Sequence, residues 1–178
     1  MSVRDRRLES DYQGLLRLCV SNKNLQLLDY IPEPRKYVIQ ISNVVGVESI
    51  NSDDSPRYRM QHTLEISDFT LRYPEPVAEG IPKVHFQTPI FHPNVFTSGM
   101  TCIYGTNQTD NQPLNFLVLR LITMIQYANT DFGNPANREA KAWYERNKHK
   151  GWFPLGKKSS DESPESQKVK WGKRHDQK

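Results

Sequence analysis

Ten residues near the middle of the chain, Arg57 to Ile66, alternate without a break. Tyr58, Met60, His62, Leu64 and Ile66 share one side, and Arg57, Arg59, Gln61, Thr63 and Glu65 share the other. Successive side chains of an extended strand point to opposite faces, so this period of two predicts a strand with one face on a core and one in water. Such a strand needs paired neighbours and a layer over its apolar face. Residues 35 to 48 supply a neighbour, with Tyr37, Ile39 and Ile41 on one side and Val38, Gln40 and Ser42 on the other. Between the two runs, Asn51-Ser52-Asp53-Asp54-Ser55-Pro56 is rich in turn formers, which predicts a hairpin and antiparallel pairing.

Helical spacing supplies the covering layer. Within residues 2 to 21, Leu8, Tyr12, Leu15 and Cys19 fall on one helix face, which makes Cys19 a core residue. The opposite side, Arg4, Arg6, Arg7 and Arg17 among Asp5, Glu9 and Asp11, reads as a solvated face. From Leu114 to about Ala128 the chain is apolar on most sides, with Leu117, Leu121, Met124, Ile125 and Ala128 as a stripe, so a largely buried helix is expected. Asn134-Pro135 has the form of an N-cap followed by Pro at the first helical position, and Ala136, Ala140, Trp143, Tyr144 and Asn147 line one side of the helix that follows. The class predicted is α+β: an N-terminal helix, an antiparallel meander of about four strands, and C-terminal helices.

At 178 residues the chain fits one domain, placed at residues 1–149, followed by a basic tail at 150–178. Residues 148 to 178 hold nine Lys or Arg against four acids, leaving 15 basic and 16 acidic groups in residues 1 to 147. The net charge of +4 therefore sits in the tail, and a near-neutral folded part argues against nucleic acid as the partner. The tail has the composition of a solvated segment, except that Trp152, Phe153 and Trp171 can anchor a partner or fold back on the domain. No run is long and apolar enough for a membrane span, and Met1 to Arg7 is not followed by the apolar stretch of a secretory signal. With Cys19 and Cys102 as the cysteines, a disulfide framework is not the design, and a reducing cytoplasm is the expected setting. His62 lacks a second His or Cys at ligand spacing and reads as a core histidine rather than part of a metal site. Glycine-rich phosphate cradles are absent, so no nucleotide cofactor is expected and ATP is not handled by this chain.

The chemistry concentrates in FHPNVFTSGMTC, where Cys102 follows Asn94 of His92-Pro93-Asn94 by eight residues. Taken singly, a Cys is a small buried hydrophobe and His-Pro-Asn a turn. Set side by side across a Gly-containing extended segment, a nucleophilic sulfur and an amide donor for a developing oxyanion are the parts of an acyl-transfer site.

The surrounding order widens that observation. Tyr73-Pro74-Glu75-Pro76, Ile81-Pro82 and the strand-like Lys83 to Thr88 precede the turn. After Cys102 come a polar loop closing at Pro113 and the two helices. Over residues 2 to 149 this order resembles the ubiquitin-conjugating enzyme family, most closely from 73 to 102, where the spacing matches without insertion. The resemblance implies that fold, with Cys102 carrying a ubiquitin-like protein as a thioester received from an activating enzyme and passing it to a lysine amine, with a ligase or target protein as further partner. It implies no metal. Asn94 matches the family's asparagine, which either donates to the oxyanion or stiffens the loop. His92 and Pro93 match positions that shape the turn, and His92 is not the base. The family's first helix docks the activating enzyme, which makes Arg4, Arg6 and Arg7 candidate contacts.

Two departures bear on the acceptor. The family's Trp, two residues before the proline at the position of Pro113, is here Asn111. Its Asp near the start of the last helix corresponds to Asn134, with Asp131 three residues away, so these two are the acceptor-side candidates. A neutral Asn hydrogen-bonds an amine but does not stabilise its positive charge as a carboxylate does. These departures also resemble conjugating enzymes of bacterial antiphage operons, which implies a part in antiviral defence. The alternative is a non-catalytic scaffold of the same fold that binds a modifier or partner enzyme; such relatives lack the cysteine.

Overall fold

The computed structural model describes residues 1–32, 35–75, 77, 80–102, 112–128 and 132–153. Asn111, Asp131 and Trp171 lie outside them. The chain is α+β: helix α1 (Val3–Ser21), strands β1 (Leu25–Ile31), β2 (Lys36–Ile50), β3 (Pro56–Ser67) and β4 (Lys83–Phe86), then helices α2 (Leu114–Ile125) and α3 (Arg138–Asn147). The four strands form one antiparallel sheet in the order β1-β2-β3-β4.

The alternating run lies where its period puts it. Tyr37 pairs with Ile66, Ile39 with Leu64 and Ile41 with His62, and all six are buried. Val84 and Phe86 of β4 extend the same face, and α1 and α2 cover it. One member departs: Met60 is 54% exposed. The β2–β3 register shifts between Ser42 and Gly46, opposite this stretch of β3, and a bulge re-aims the strand and ends the strict burial pattern. His62 is a core histidine, its Nε2 3.0 Å from the Val44 carbonyl oxygen.

Helix α1 opens on a capping box in which the Ser2 hydroxyl accepts from the Asp5 N–H and the Ser2 N–H donates to the Asp5 carboxylate. It buries Leu8 and Leu15, with Tyr12 and Cys19 packed partly against the core. The solvated-face assignment fails for Asp11, which is buried. Position 11 lies three residues after Leu8 and four before Leu15, on the core stripe itself, and its carboxylate is accommodated there by partners. It accepts from Arg7 Nε at 2.8 Å, from the Tyr73 hydroxyl, and from the Leu114 N–H at 3.0 Å. The last bond matters for α2, whose first residue follows Pro113 with no side-chain cap of its own. Arg7 reaches on to the Gln112 carbonyl oxygen and Arg4 holds the carbonyls of Phe69 and Thr70, so both brace α1 against loops. Of the three arginines named for docking, Arg6 is the exposed one.

Both C-terminal helices are shorter than their patterns predict. Helix α2 ends at Ile125 because Tyr127 takes φ +57°, and Ala128 is exposed rather than part of the stripe. Helix α3 starts at Arg138, not at Asn134-Pro135. Its cap is Asn137, whose side-chain oxygen accepts from the Ala140 N–H at 2.9 Å. Ala140, Trp143 and Asn147 of its predicted face are buried.

A second, aromatic core forms where α3 meets the far end of the sheet: Val47, Tyr127, Phe132 and Trp143, with Tyr58, Phe91 and Tyr144 at its border. Trp152 and Phe153 fold back into it. Trp152 stacks on Trp143 at 6.5 Å, and Phe153 lies 5.3 Å from Trp143 and 4.8 Å from Tyr144. The packed chain thus extends through Phe153. We therefore expect a protein ending at Gly151 to melt about 10 °C below one ending at Phe153, since two aromatic side chains contribute on the order of 3 kcal/mol. Equal melting temperatures in a thermal scan of the two truncations would show that this packing adds nothing.

Candidate active site

The turn at residues 91–95 is held at almost every backbone position. The Phe91 N–H donates to the Val47 carbonyl oxygen at 2.7 Å and its own carbonyl oxygen accepts from the Tyr127 hydroxyl. The Val95 N–H donates to the His92 carbonyl oxygen at 3.0 Å, which closes the turn. Pro93 offers its carbonyl oxygen to the Asn137 N–H at 2.9 Å, tying the start of α3 to the turn. The Asn94 N–H donates to His92 Nδ1 at 3.0 Å, and the Asn94 carbonyl oxygen accepts from the Cys102 N–H at 2.8 Å. None of those bonds uses the Asn94 side-chain amide.

The segment that joins Asn94 to Cys102 is a tight return, not the extended stretch expected from its sequence. Val95 and Thr101 form an antiparallel bridge, and inside it the Phe96 N–H bonds to Met100 and the Gly99 N–H to Phe96, each at 2.8 Å. Gly99 has φ +89°, in the left-handed region, and a Cβ there would fall on the Phe86 carbonyl oxygen, so the return requires glycine at this position. The Phe86 N–H in turn donates to Gly99 and the Thr101 N–H to Val84, which docks the return on β4. An offset of eight residues is thereby folded in half, and positions 94 and 102 become cross-strand neighbours. Both residues are half-buried.

His92 is fully buried in an aromatic box, its ring 4.5 Å from that of Tyr127 and 5.5 Å from that of Phe132. Because Nδ1 accepts from Asn94, the ring proton belongs on Nε2, which has no hydrogen-bond partner among the described residues. Burial pushes the imidazole from the ordinary 6.5 down to about 3, so it is neutral at physiological pH. A buried ring whose basic nitrogen is already used is a brace, not a general base.

That brace has a pH signature. An unfolded chain takes up a proton on His92 below about 6.5, whereas the folded chain does not until about 3. The stability contributed by the neutral ring is full above pH 6.5 and is lost as pH falls toward 3. Between pH 7 and pH 5 this amounts to about 2 kcal/mol. Urea unfolding at both pH values should show a smaller acid loss for His92→Asn than for wild type, by about that amount. Identical losses would mean that the ring titrates normally in the folded state.

The two cysteines differ in setting and are not joined in a disulfide. Cys19 packs against the main core and burial pushes its thiol up, which suits an inert residue. Cys102 lies at the mouth of the braced turn. Of the acceptor-side candidates, Asn134 is exposed ahead of α3, and Asp131 lies outside the described residues. Sequence reasoning missed Asn137 and Tyr127, both of which hold the turn. An Asn spaced three residues before a buried Ala was a readable cap signal for the first; nothing in the sequence marked the second. Among the described residues no cluster of three or more His, Cys, Asp or Glu could hold a metal ion. Among them also, no helix is long and apolar enough to cross a membrane.

No model of a known protein family matches this chain, and no curated protein matches it.

Proposed function

We propose that the chain has a ubiquitin-conjugating-type fold and acts as an acyl carrier, taking a ubiquitin-like protein onto Cys102 as a thioester and passing it to an amine. The observation that carries this reading is the bond from the Cys102 N–H to the Asn94 carbonyl oxygen, which makes the sulfur-bearing residue and the amide-bearing residue neighbours. In the first step the Cys102 thiolate attacks the thioester carbonyl presented by an activating enzyme. The carbonyl oxygen becomes an oxyanion, the new carbon–sulfur bond forms, and the activating enzyme's thiolate leaves. In the second step an amine attacks, Cys102 leaves as thiolate, and the amine proton passes to solvent or to a group on the acceptor.

Thioester carbonyls need little activation, so positioning and a donor for the oxyanion count for more than a strong base. That fits a turn held by its backbone, a neutral buried His92 and an Asn94 amide that the turn does not consume. Where the acceptor side offers Asn134 rather than a carboxylate, the missing charge falls to the target or to a ligase. Arg6, the exposed one of the three arginines at the start of α1, is the candidate contact for an acidic surface of the activating enzyme.

The test is an intact-mass measurement after incubation with ATP and matched pairs of activating enzyme and modifier. The reading expects a mass gain of one modifier that a thiol reductant removes. A gain that survives reductant and maps to a lysine would overturn it.

A further inference from the structure

Tyr127 stands two residues beyond the end of α2 with φ +57°, a conformation bulky side chains rarely adopt. A strained backbone persists where its surroundings demand it, and here the demand is visible. The deviation lets one side chain, 3% exposed, reach the turn 36 residues earlier in the chain. The phenol hydroxyl donates to the Phe91 carbonyl oxygen at 2.5 Å. Burial pushes that phenol up, so it remains a donor. The ring packs on His92, and behind it Tyr144 stacks at 5.9 Å and Phe153 sits at 5.1 Å.

We infer that Tyr127 is a positioning residue for Asn94, acting through the turn rather than touching a reacting atom. Its hydroxyl fixes the peptide between Phe91 and His92, and its ring fixes the His92 imidazole. That imidazole accepts the Asn94 N–H, so the backbone from which the Asn94 amide projects is set by a side chain of the second core. Phe153 backs the same ring, which connects the C-terminal end of the packed chain to the turn. The expected effect on rate rests on the acyl-transfer reading, but the effect on the turn does not.

Tyr127→Phe keeps the ring and removes the bond. Losing one such hydrogen bond should raise hydrogen–deuterium exchange of the Asn94 amide, read by NMR, about tenfold. In protein loaded at Cys102, discharge to a free amine should slow about tenfold while the loading rate stays at the wild-type value. Trp152→Ala is the control, because Trp152 stacks on Trp143 and not on Tyr127, whose ring neighbours are His92, Phe132, Tyr144 and Phe153. It should lower the melting temperature and leave Asn94 exchange and the discharge rate unchanged. Unchanged Asn94 exchange in Tyr127→Phe, or equal changes in Trp152→Ala, would return Tyr127 to plain core packing. A wild-type protein that takes no modifier would sink the acyl-transfer reading alone, since the exchange measurement still decides the role of Tyr127.

Discussion

Asn94→Ala is expected to slow transfer of a Cys102-linked modifier to a free amine about a hundredfold, the usual cost of removing one oxyanion donor. Melting temperature and thioester formation should change little. The turn gives the reason: its bonds run from the backbone of residues 91 to 95 and from His92 Nδ1, so removing the Asn94 amide takes away none of them. The transferred acyl group meets an amine that is a poorer nucleophile than a thiolate, so the second tetrahedral intermediate depends more on a donor than the first. Single-turnover discharge of pre-loaded protein to lysine, set beside the loading rate, measures both steps. Equal losses in loading and discharge, together with a lower melting temperature, would instead give Asn94 the loop-stiffening role.

Much of this architecture was legible because local pattern and tertiary demand agree. The alternation at 57–66 and at 35–48 needs a sheet with one wet face, and the turn formers between them permit one pairing. Where local signals competed, the reading failed for physical reasons. Asp11 looked solvated because it is charged, yet its position on the stripe of Leu8 and Leu15 put it inside, where Arg7, Tyr73 and the start of α2 satisfy it. Asn134-Pro135 had the better cap signature, yet Asn137 won because its N–H also anchors Pro93. Met60 kept its phase with the strand but lost its cover to a bulge in the neighbouring strand, which a single strand's pattern does not reveal.

The site was legible in outline and not in construction. The residues His92, Pro93, Asn94 and Cys102 stand out in the sequence, but the Gly-containing link between them reads as extended. What folds it back is Gly99 in the left-handed region against the edge of β4, a contact between segments. The bracing by Tyr127 and Phe153 is more distant still. Phe153 reads as an aromatic that can fold back on the domain and Tyr127 carries no mark of its own, and it is the second core that brings both to the turn.

The central claim is that Cys102 carries the acyl group, and the most direct measurement is peptide mapping by mass spectrometry of the product formed with an activating enzyme, ATP and modifier. In wild type the modifier's C-terminus should be found on Cys102 and be released by a thiol reductant. Cys102→Ala should abolish the product, because the other thiol of the sequence, Cys19, is packed against the core. Cys102→Ser should form it more slowly and hold it against reductant, since an oxyester resists thiol exchange. Cys19→Ala should load like wild type, its thiol being packed against the core. Modifier found on Cys19, or product still formed by Cys102→Ala, would contradict the account.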